Sequence, residues 1–368
     1  MPKLIADSDM IYLRATPIPR ALESVQQAFW GFYPPSARAA DFPAPTILTR
    51  TPADETLFPN EGACRRFAQL SRAFAQRSAE KWNDTDEMKY VDKQIGKWMP
   101  ADSPKVAVDS RPRLSGILDT INSTDVHGPE TKLPKEFYDP KLRSTIDKIC
   151  VEEWYSGYTE SQEYRMLGIG SLMGDIVGRM MGNIERSGGD GLVEIGGDGD
   201  QVGIGRGGEK RIRFAMSGCH DTTLSAVLMG LGTYEGRQMR WPPYTSHIAF
   251  EMFRSRKKAP GTSDLGLSAA PNAKPGQKRA GQGWWGALFG GLAGENDQQK
   301  RGTLGRRPLS ELTAGEKQKL DDYYVRVRFN DEVMQVPGCK QPGKHLEGDE
   351  TLCTLVSTRD TPVQWLPC

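Results

Sequence analysis

The 368-residue chain contains no apolar run of the roughly 20 residues needed to cross a bilayer as a helix. Its most apolar short stretch, Gly283 to Gly294 (GWWGALFGGLAG), is too short to span and too rich in glycine for a good helix. The opening residues, MPKLIADSDMIYLRA, lack the apolar centre of a secretory signal, and no export address is read from them. An excess of one charge is also missing. With 48 basic and 47 acidic residues the net charge is +1, so no global field draws the chain to nucleic acid or to a membrane surface. There are only four histidines, with no HExxH spacing, and the six cysteines (64, 150, 219, 339, 353 and 368) include no Cys-x-x-Cys pair. A zinc knuckle, a catalytic metal and a resident cofactor are therefore not expected. No internal repeat of fixed period occurs.

The chain does hold enough residues for one large or two ordinary domains. Hydrophobic content is 37%, with 40 glycines and 25 prolines, which suggests a folded body interrupted by inserts. Residues 187 to 209 are rich in glycine and aspartate, and residues 254 to 308 are of low complexity; both are expected to be flexible. Between them lie readable elements. Met10 to Ala15 reads as a strand, and Arg20 to Trp30 as a helix with Leu22, Val25 and Phe29 on one face. Residues 42 to 60 read as a loop. Helical patterns follow at 62 to 82, 83 to 100, 114 to 122 and 140 to 155. The longest helix runs over 161 to 185, with a glycine every four residues from Gly170 to Gly182, a spacing that suits close packing. A strand–turn–helix is expected at 211 to 231, and strands at 246 to 253 and 323 to 329, the last with a hairpin partner at 331 to 335.

Two places carry chemistry. In the run Arg213 to Thr223 (RFAMSGCHDTT), an apolar strand ends at His220-Asp221 and a helix begins. A strand that turns sharply into a helix places its turn at the carboxyl edge of a sheet, where open α/β sheets bind ligands, and a helix start favours anions. The ordinary reading, an N-cap aspartate beside a space-filling histidine, competes evenly with a functional one. Arg14, at the end of the first strand and just before a helix, has the same topology. It is either a phosphate-holding guanidinium or a surface arginine paired with an acid such as Glu23. The letters of a dinucleotide fingerprint at Gly203 to Gly208 precede a strand instead of following one, and are rejected. His127, His247 and His345 lack such surroundings and are read as structural or exposed. Cys339 and Cys353 flank a loop containing proline and glycine and are expected to form a local disulfide, which suits an oxidising compartment.

These residues suggest a family. The runs MIYLRATPIPRALESVQQAFWGFYP, FAMSGCHDTTLSAVLMGLG with WPPYTSHIAFEMF, and YYVRVRFNDEV with PGC and LEGDETLC resemble blocks of the histidine acid phosphatases, branch 2 of the histidine phosphatase superfamily. The WPPY and LESVQQAFWGFYP phrases look closest to lysophosphatidic-acid-phosphatase-like members. The resemblance implies an α/β fold, with a mixed central sheet flanked by helices and a helical cap. Residues 1–40 and 161–368 would form the core, and residues 41–160 the cap. It also implies a phosphohistidine mechanism, in which Arg14 and His220 hold the phosphoryl oxygens and Asp221 protonates the leaving alcohol. Such chemistry needs no metal or cofactor. The substrate would be a phosphomonoester or a lysophospholipid-like molecule, with no nucleic-acid partner. Compartment and oligomeric state stay open.

One element of the family's pattern is absent. Its nucleophile lies in an Arg-His-Gly motif on a strand upstream of the Arg14 block, and no Arg-His-Gly occurs in the 368 residues. The expectation is therefore a truncated phosphomonoester hydrolase that turns over substrate very poorly as it stands. The alternative is a non-catalytic protein that binds phosphate or a phospholipid head group. A third reading is a chain that does not fold stably alone, because loss of a central strand leaves exposed edges.

Overall fold

The computed structural model describes residues 10–38, 42, 45–185, 212–234, 240–255 and 304–359. Strand β1 (Ile11–Ala15) is buried at all five positions, as expected of a strand covered on both faces. It lies between β2 (Ile47–Leu48) and β3 (Phe214–Gly218), parallel to both. In register, Arg14 faces Leu48 on one side and Ser217 on the other, and Ala15 faces Gly218. Each of the outgoing chains turns into a helix at the same sheet edge. Helix α1 (Pro19–Phe32) starts with proline at its first position, where the missing N–H costs nothing, and buries Ala21, Val25 and Phe29. The helix after β3 begins at Asp221. Gly218 is where these units press together: a Cβ there would stand 2.6 Å from the Ala21 carbonyl oxygen.

The helical part comprises α2 (Arg65–Trp82), α3 (Asp86–Ile95), α4 (Leu114–His127) and α5 (Pro140–Glu160). The helix over 62–82 does not run on into 83–100. The Thr85 hydroxyl accepts from Met88 N and starts α3 as a separate helix. Met88, Val91, Ile95, Leu114, Ile121, Leu142 and Ile146 form a core of their own. This core is joined to the body through α5, whose Tyr155 and Tyr158 enter the main cluster together with Phe67 of α2. Residues 47–48, which fall in the segment read as cap, pair with β1 in the body.

Helix α6 (Gln162–Glu185) packs on helix α7 (Asp221–Gly230) and carries the glycine stripe. A Cβ on Gly168 would meet Phe67 at 2.8 Å, and one on Gly305 would stand 2.7 Å from the Gly178 Cα. Gly168 stands outside the Gly170–Gly182 stripe; within the stripe Gly178 is approached by Gly305, although a Cβ on Gly178 itself would meet nothing within 4 Å. The second contact corrects the extent of the expected insert. Residues 304–308 lie inside the segment read as flexible, yet Leu304 is buried against Val177 and Met181 of α6. Apolar burial against the helix outweighs the polar composition of that stretch. Residues 256–303 of that insert, and residues 187–209, lie outside the described residues.

A second sheet is antiparallel, with β4 (Ile248–Arg254), β5 (Tyr323–Phe329), β6 (Glu332–Met334), β7 (His345–Leu346) and β8 (Asp349–Thr354). Its order is β4-β5-β8-β7, and β6 pairs with β5 as a hairpin through Asn330, whose φ of 53° suits asparagine. The fold is thus α/β, with parallel and antiparallel sheets flanked by helices. The two strand directions expected of one mixed sheet are divided between two. Short helices α8 (Ala314–Gln318) and α9 (Leu355–Arg359) flank β5 and β8. Cys339 and Cys353 form a buried disulfide, as expected. Cys64 is disulfide-bonded as well, a bond with no local signal in the sequence. Among the described residues no helix is long and apolar enough to cross a membrane.

Candidate phosphate site at the carboxyl edge of the parallel sheet

Because β1 and β3 are adjacent and parallel, Arg14 and the His220-Asp221 pair emerge at one edge. The Thr16 N–H bonds to the Gly218 carbonyl at 3.1 Å, tying the two turns together just past the strand ends. What surrounds each side chain differs.

Arg14 is not a surface arginine, and Glu23 is not its partner. It is 2% exposed and meets the carboxylates of Glu55 and Asp175, the latter at 3.3 Å, and the Thr56 hydroxyl at 3.0 Å. Arg50 completes the group, with Nη1 2.7 Å from Asp175 and 2.9 Å from the Thr56 hydroxyl. Among the described residues, two guanidiniums thus meet two carboxylates in one largely buried group. Burying four charges is tolerable only because they pair and hydrogen-bond to one another. Leu57 N donates to Glu55, and the Thr223 hydroxyl donates to the Leu57 carbonyl, which fastens the segment around Glu55 to α7.

His220 precedes α7 with extended backbone (φ −115°, ψ 161°), as an N-cap does, but its side chain does not cap the helix. Both ring nitrogens are buried and have no hydrogen-bond partner among the described residues. Burial pushes the imidazole pKa below its usual value and the charge of Arg20 pushes the same way, against the opposing pull of Asp221. The ring is therefore held neutral around pH 7. Arg20, at the start of α1 and exposed, supplies positive charge near the ring. Neighbouring Cys219 is a free thiol pushed up to about 12 by burial, and it is inert as a nucleophile at neutral pH.

Asp221 is the first residue of α7. One carboxylate oxygen accepts from Thr222 N at 2.7 Å and the other from the Trp241 indole N–H at 2.7 Å. The helix start is thus less open than its sequence suggests, since Thr222 N is taken by Asp221 while Thr223 N and Leu224 N bond to the His220 carbonyl. Trp241 in turn stacks on Tyr155 of α5 at 6.1 Å. Of the other histidines, His127 ends α4, His247 lies just before β4, and His345 contacts the Cys339 carbonyl at 2.7 Å. Among the described residues no group of three or more histidines, cysteines or carboxylates is placed to hold a metal ion.

Sequence reasoning missed Arg20, Arg50, Glu55, Asp175 and Trp241. Arg20 stands inside the quoted strand-to-helix run, and Trp241 inside the WPPY phrase. Arg50, Glu55 and Asp175 carry no local pattern, because only the fold brings loop, strand and helix together.

The α/β body, with a histidine and an aspartate at the carboxyl edge of its parallel sheet, can be compared with known proteins. The profile of the histidine phosphatase superfamily (branch 2) matches residues 2–264, and the chain belongs to that family. It is 30% identical to a probable acid phosphatase of Schizosaccharomyces pombe over 352 residues, 95% of this chain and 65% of that protein. It is 26% identical to the testicular acid phosphatase of Mus musculus over 266 residues, 69% of this chain and 53% of that protein. The chain therefore spans between half and two thirds of the length of these relatives.

Proposed function

We propose that the chain is the phosphate-holding and proton-donating part of an acid-phosphatase-type phosphomonoester hydrolase. The observation that carries this reading is the unpaired, neutral imidazole of His220 beside Asp221, at the edge where Arg14 also ends. A buried imidazole without a partner is costly unless a ligand completes it. A phosphoryl oxygen supplies the acceptor that the ring lacks, and Arg20 adds positive charge on the same side. Arg14, with five N–H donors, would hold a second oxygen beside its present partners or in place of the weakest of them. Asp175, at 3.3 Å, is the longer contact and the easier to replace.

In the proposed reaction a histidine nitrogen attacks phosphorus, and the bond from phosphorus to the leaving oxygen breaks. Asp221 gives its proton to that oxygen. Water then attacks the phosphohistidine, Asp221 takes the water's proton, and inorganic phosphate leaves. Negative charge spreads over the phosphoryl oxygens throughout, so fixed donors at His220 and Arg14 lower the barrier. The attacking histidine would stand in an Arg-His-Gly segment, which the 368 residues do not contain. The WPPY and LESVQQAFWGFYP phrases favour a lysophospholipid-like substrate.

The absent Arg-His-Gly and the carboxylates already on Arg14 favour a second reading, a protein that binds phosphate or a phospholipid head group without turnover. One experiment separates the two. The chain alone is expected to bind inorganic phosphate and to release none from a phosphomonoester. Joined to an upstream segment bearing Arg-His-Gly, it should hydrolyse, and Asp221→Ala should then slow it by about 10² to 10⁴. Steady release by the chain alone would sink the assignment of the nucleophile. Binding with no turnover in the joined form would favour the binder.

A further inference from the structure

The helical part of the chain holds an open space of about 290 Å³, at the lower end of the roughly 300 to 1,000 Å³ of small-molecule sites. Helix α3 ends at Ile95, a tight turn follows over Gly96–Trp98, and α4 and the turn at Lys135–Tyr138 close round it. Buried Ile117 lines it with the more exposed Trp98 and Phe137, whose rings meet at 5.0 Å and 49°. Pro100, Pro112 and Pro134 also stand in the wall, and their fixed φ stiffens the backbone against collapse into the space. Thr120 supplies the one hydroxyl, which donates to the Gly116 carbonyl at 2.8 Å within its own helix. The wall therefore offers apolar surface and no free hydroxyl. Its chain neighbours are basic. Lys97 stands over the Trp98 ring, with Nζ 4.0 Å from the centroid, and reaches Glu136 at 3.4 Å. Lys135, beside Pro134, and Arg111, beside Pro112, are exposed and make no ion pair among the described residues. Asp119, beside Thr120, bears on Tyr244 of the body.

We propose that this space between α3 and α4 binds the tail of a single-chain amphiphile whose head group is anionic. A water takes about 30 Å³ of liquid and a methylene is of similar size, so the space takes a chain of roughly ten carbons. Removing that chain from water drives binding. Lys97, Arg111 and Lys135, answered nearby by Glu136, favour an anionic head over a neutral or cationic one. A second copy of the chain is the poorer occupant. A stable dimer buries about 800 Å² on each partner, whereas Trp98 is the one large apolar side chain of this wall that is exposed. The wall shares no residue with the phosphate site, so the inference does not rest on the proposed reaction.

The test is calorimetric titration of the full chain with hexanoate, octanoate, decanoate and dodecanoate, each below its micelle-forming concentration, and with decanol and decyltrimethylammonium. Affinity is expected to rise about threefold to fourfold per methylene up to roughly ten carbons and then to level off. Decanoate should bind more tightly than decanol or decyltrimethylammonium, should raise the melting temperature, and should not be displaced by saturating inorganic phosphate. Trp98→Ala should weaken decanoate about tenfold, and Trp98→Phe should keep most of the affinity. Lys97→Glu combined with Lys135→Glu, both exposed, should weaken decanoate by about three- to tenfold and strengthen decyltrimethylammonium. No binding of decanoate, equal binding of decanol, or affinity untouched in Trp98→Ala would overturn the inference. Displacement by phosphate would overturn it by placing the amphiphile at the sheet edge, and a lowered melting temperature would do so by placing it on the unfolded chain. A dimer that Trp98→Ala dissociates, with no decanoate bound, would give the space to a second copy and overturn it as well. Each of these outcomes leaves the proposed phosphate chemistry as it was, and failure of phosphate to bind leaves this site as it was.

Discussion

The ends of β1 and β3 look alike in sequence and differ in structure. Each is a strand that turns into a helix at the same sheet edge, and each carries a residue suited to a phosphate. Arg14 is already balanced by Glu55, Thr56 and Asp175, inside a quartet that also takes in Arg50. His220 has two buried nitrogens without a hydrogen-bond partner among the described residues. One turn is therefore stabilised by the protein's own charges, and the other is the one the proposed function gives to a ligand. The contrast follows from desolvation. A buried guanidinium cannot shed its proton and must be paired, while a buried imidazole can stay neutral at modest cost.

Breaking the Arg14 side should have the largest effect. Arg14→Met would leave Glu55 buried without its cation, and a loss of about 3 to 5 kcal/mol is expected, measured by urea unfolding. A loss near zero would mean that the quartet is not charged as described. Gly218→Ala, at the point where the two units touch, should cost about 1 to 3 kcal/mol, because the new methyl would press on the Ala21 carbonyl at 2.6 Å. An unchanged melting temperature would show the contact to be slack. On the other side, His220→Ala should weaken phosphate binding by about tenfold, as expected for losing a hydrogen bond to an anion, with less effect on stability than Arg14→Met.

The smallest effects are those of pH. The His220 pKa is lowered in the fold, so the unfolded chain binds more protons between the ordinary value of 6.5 and the lower folded value. Stability from this residue should therefore fall as pH drops through that window, and the fall should be smaller in His220→Ala. Anion binding should oppose it. A dianion beside the ring favours the imidazolium, so sulfate, which stays a dianion throughout, should bind more tightly as pH is lowered below 7 and draw a proton from solution. Titration in buffers of different ionisation enthalpy would reveal that uptake, and its absence would place the anion away from His220.

Much of the scaffold was readable before any coordinates. Val25 and Phe29 mark the inner face of α1, the alternation in YYVRVRF marks β5, and Pro19 and the Ser217-Gly218 pair mark the turns. The site was half legible. His220 and Asp221 are adjacent in the chain, so their pairing needs no fold to bring them together. Arg14 was legible as a chemical group and not as a partner. Glu55 lies 41 residues from it and Asp175 161 residues away, and no local pattern relates them. Leu304 gives the same lesson for order. Its surroundings are of low complexity, yet one apolar side chain with a place to bury held its turn on α6.

Sequence alone determined the periodicities, the turn residues, the cysteines flanking their loop and the motif letters that lead to the family, because these depend on neighbours along the chain. Tertiary structure alone decided which charges meet and which buried polar groups lack a partner among the described residues. That choice depends on which side chains share a buried volume, and distance in space sets it where distance along the chain does not.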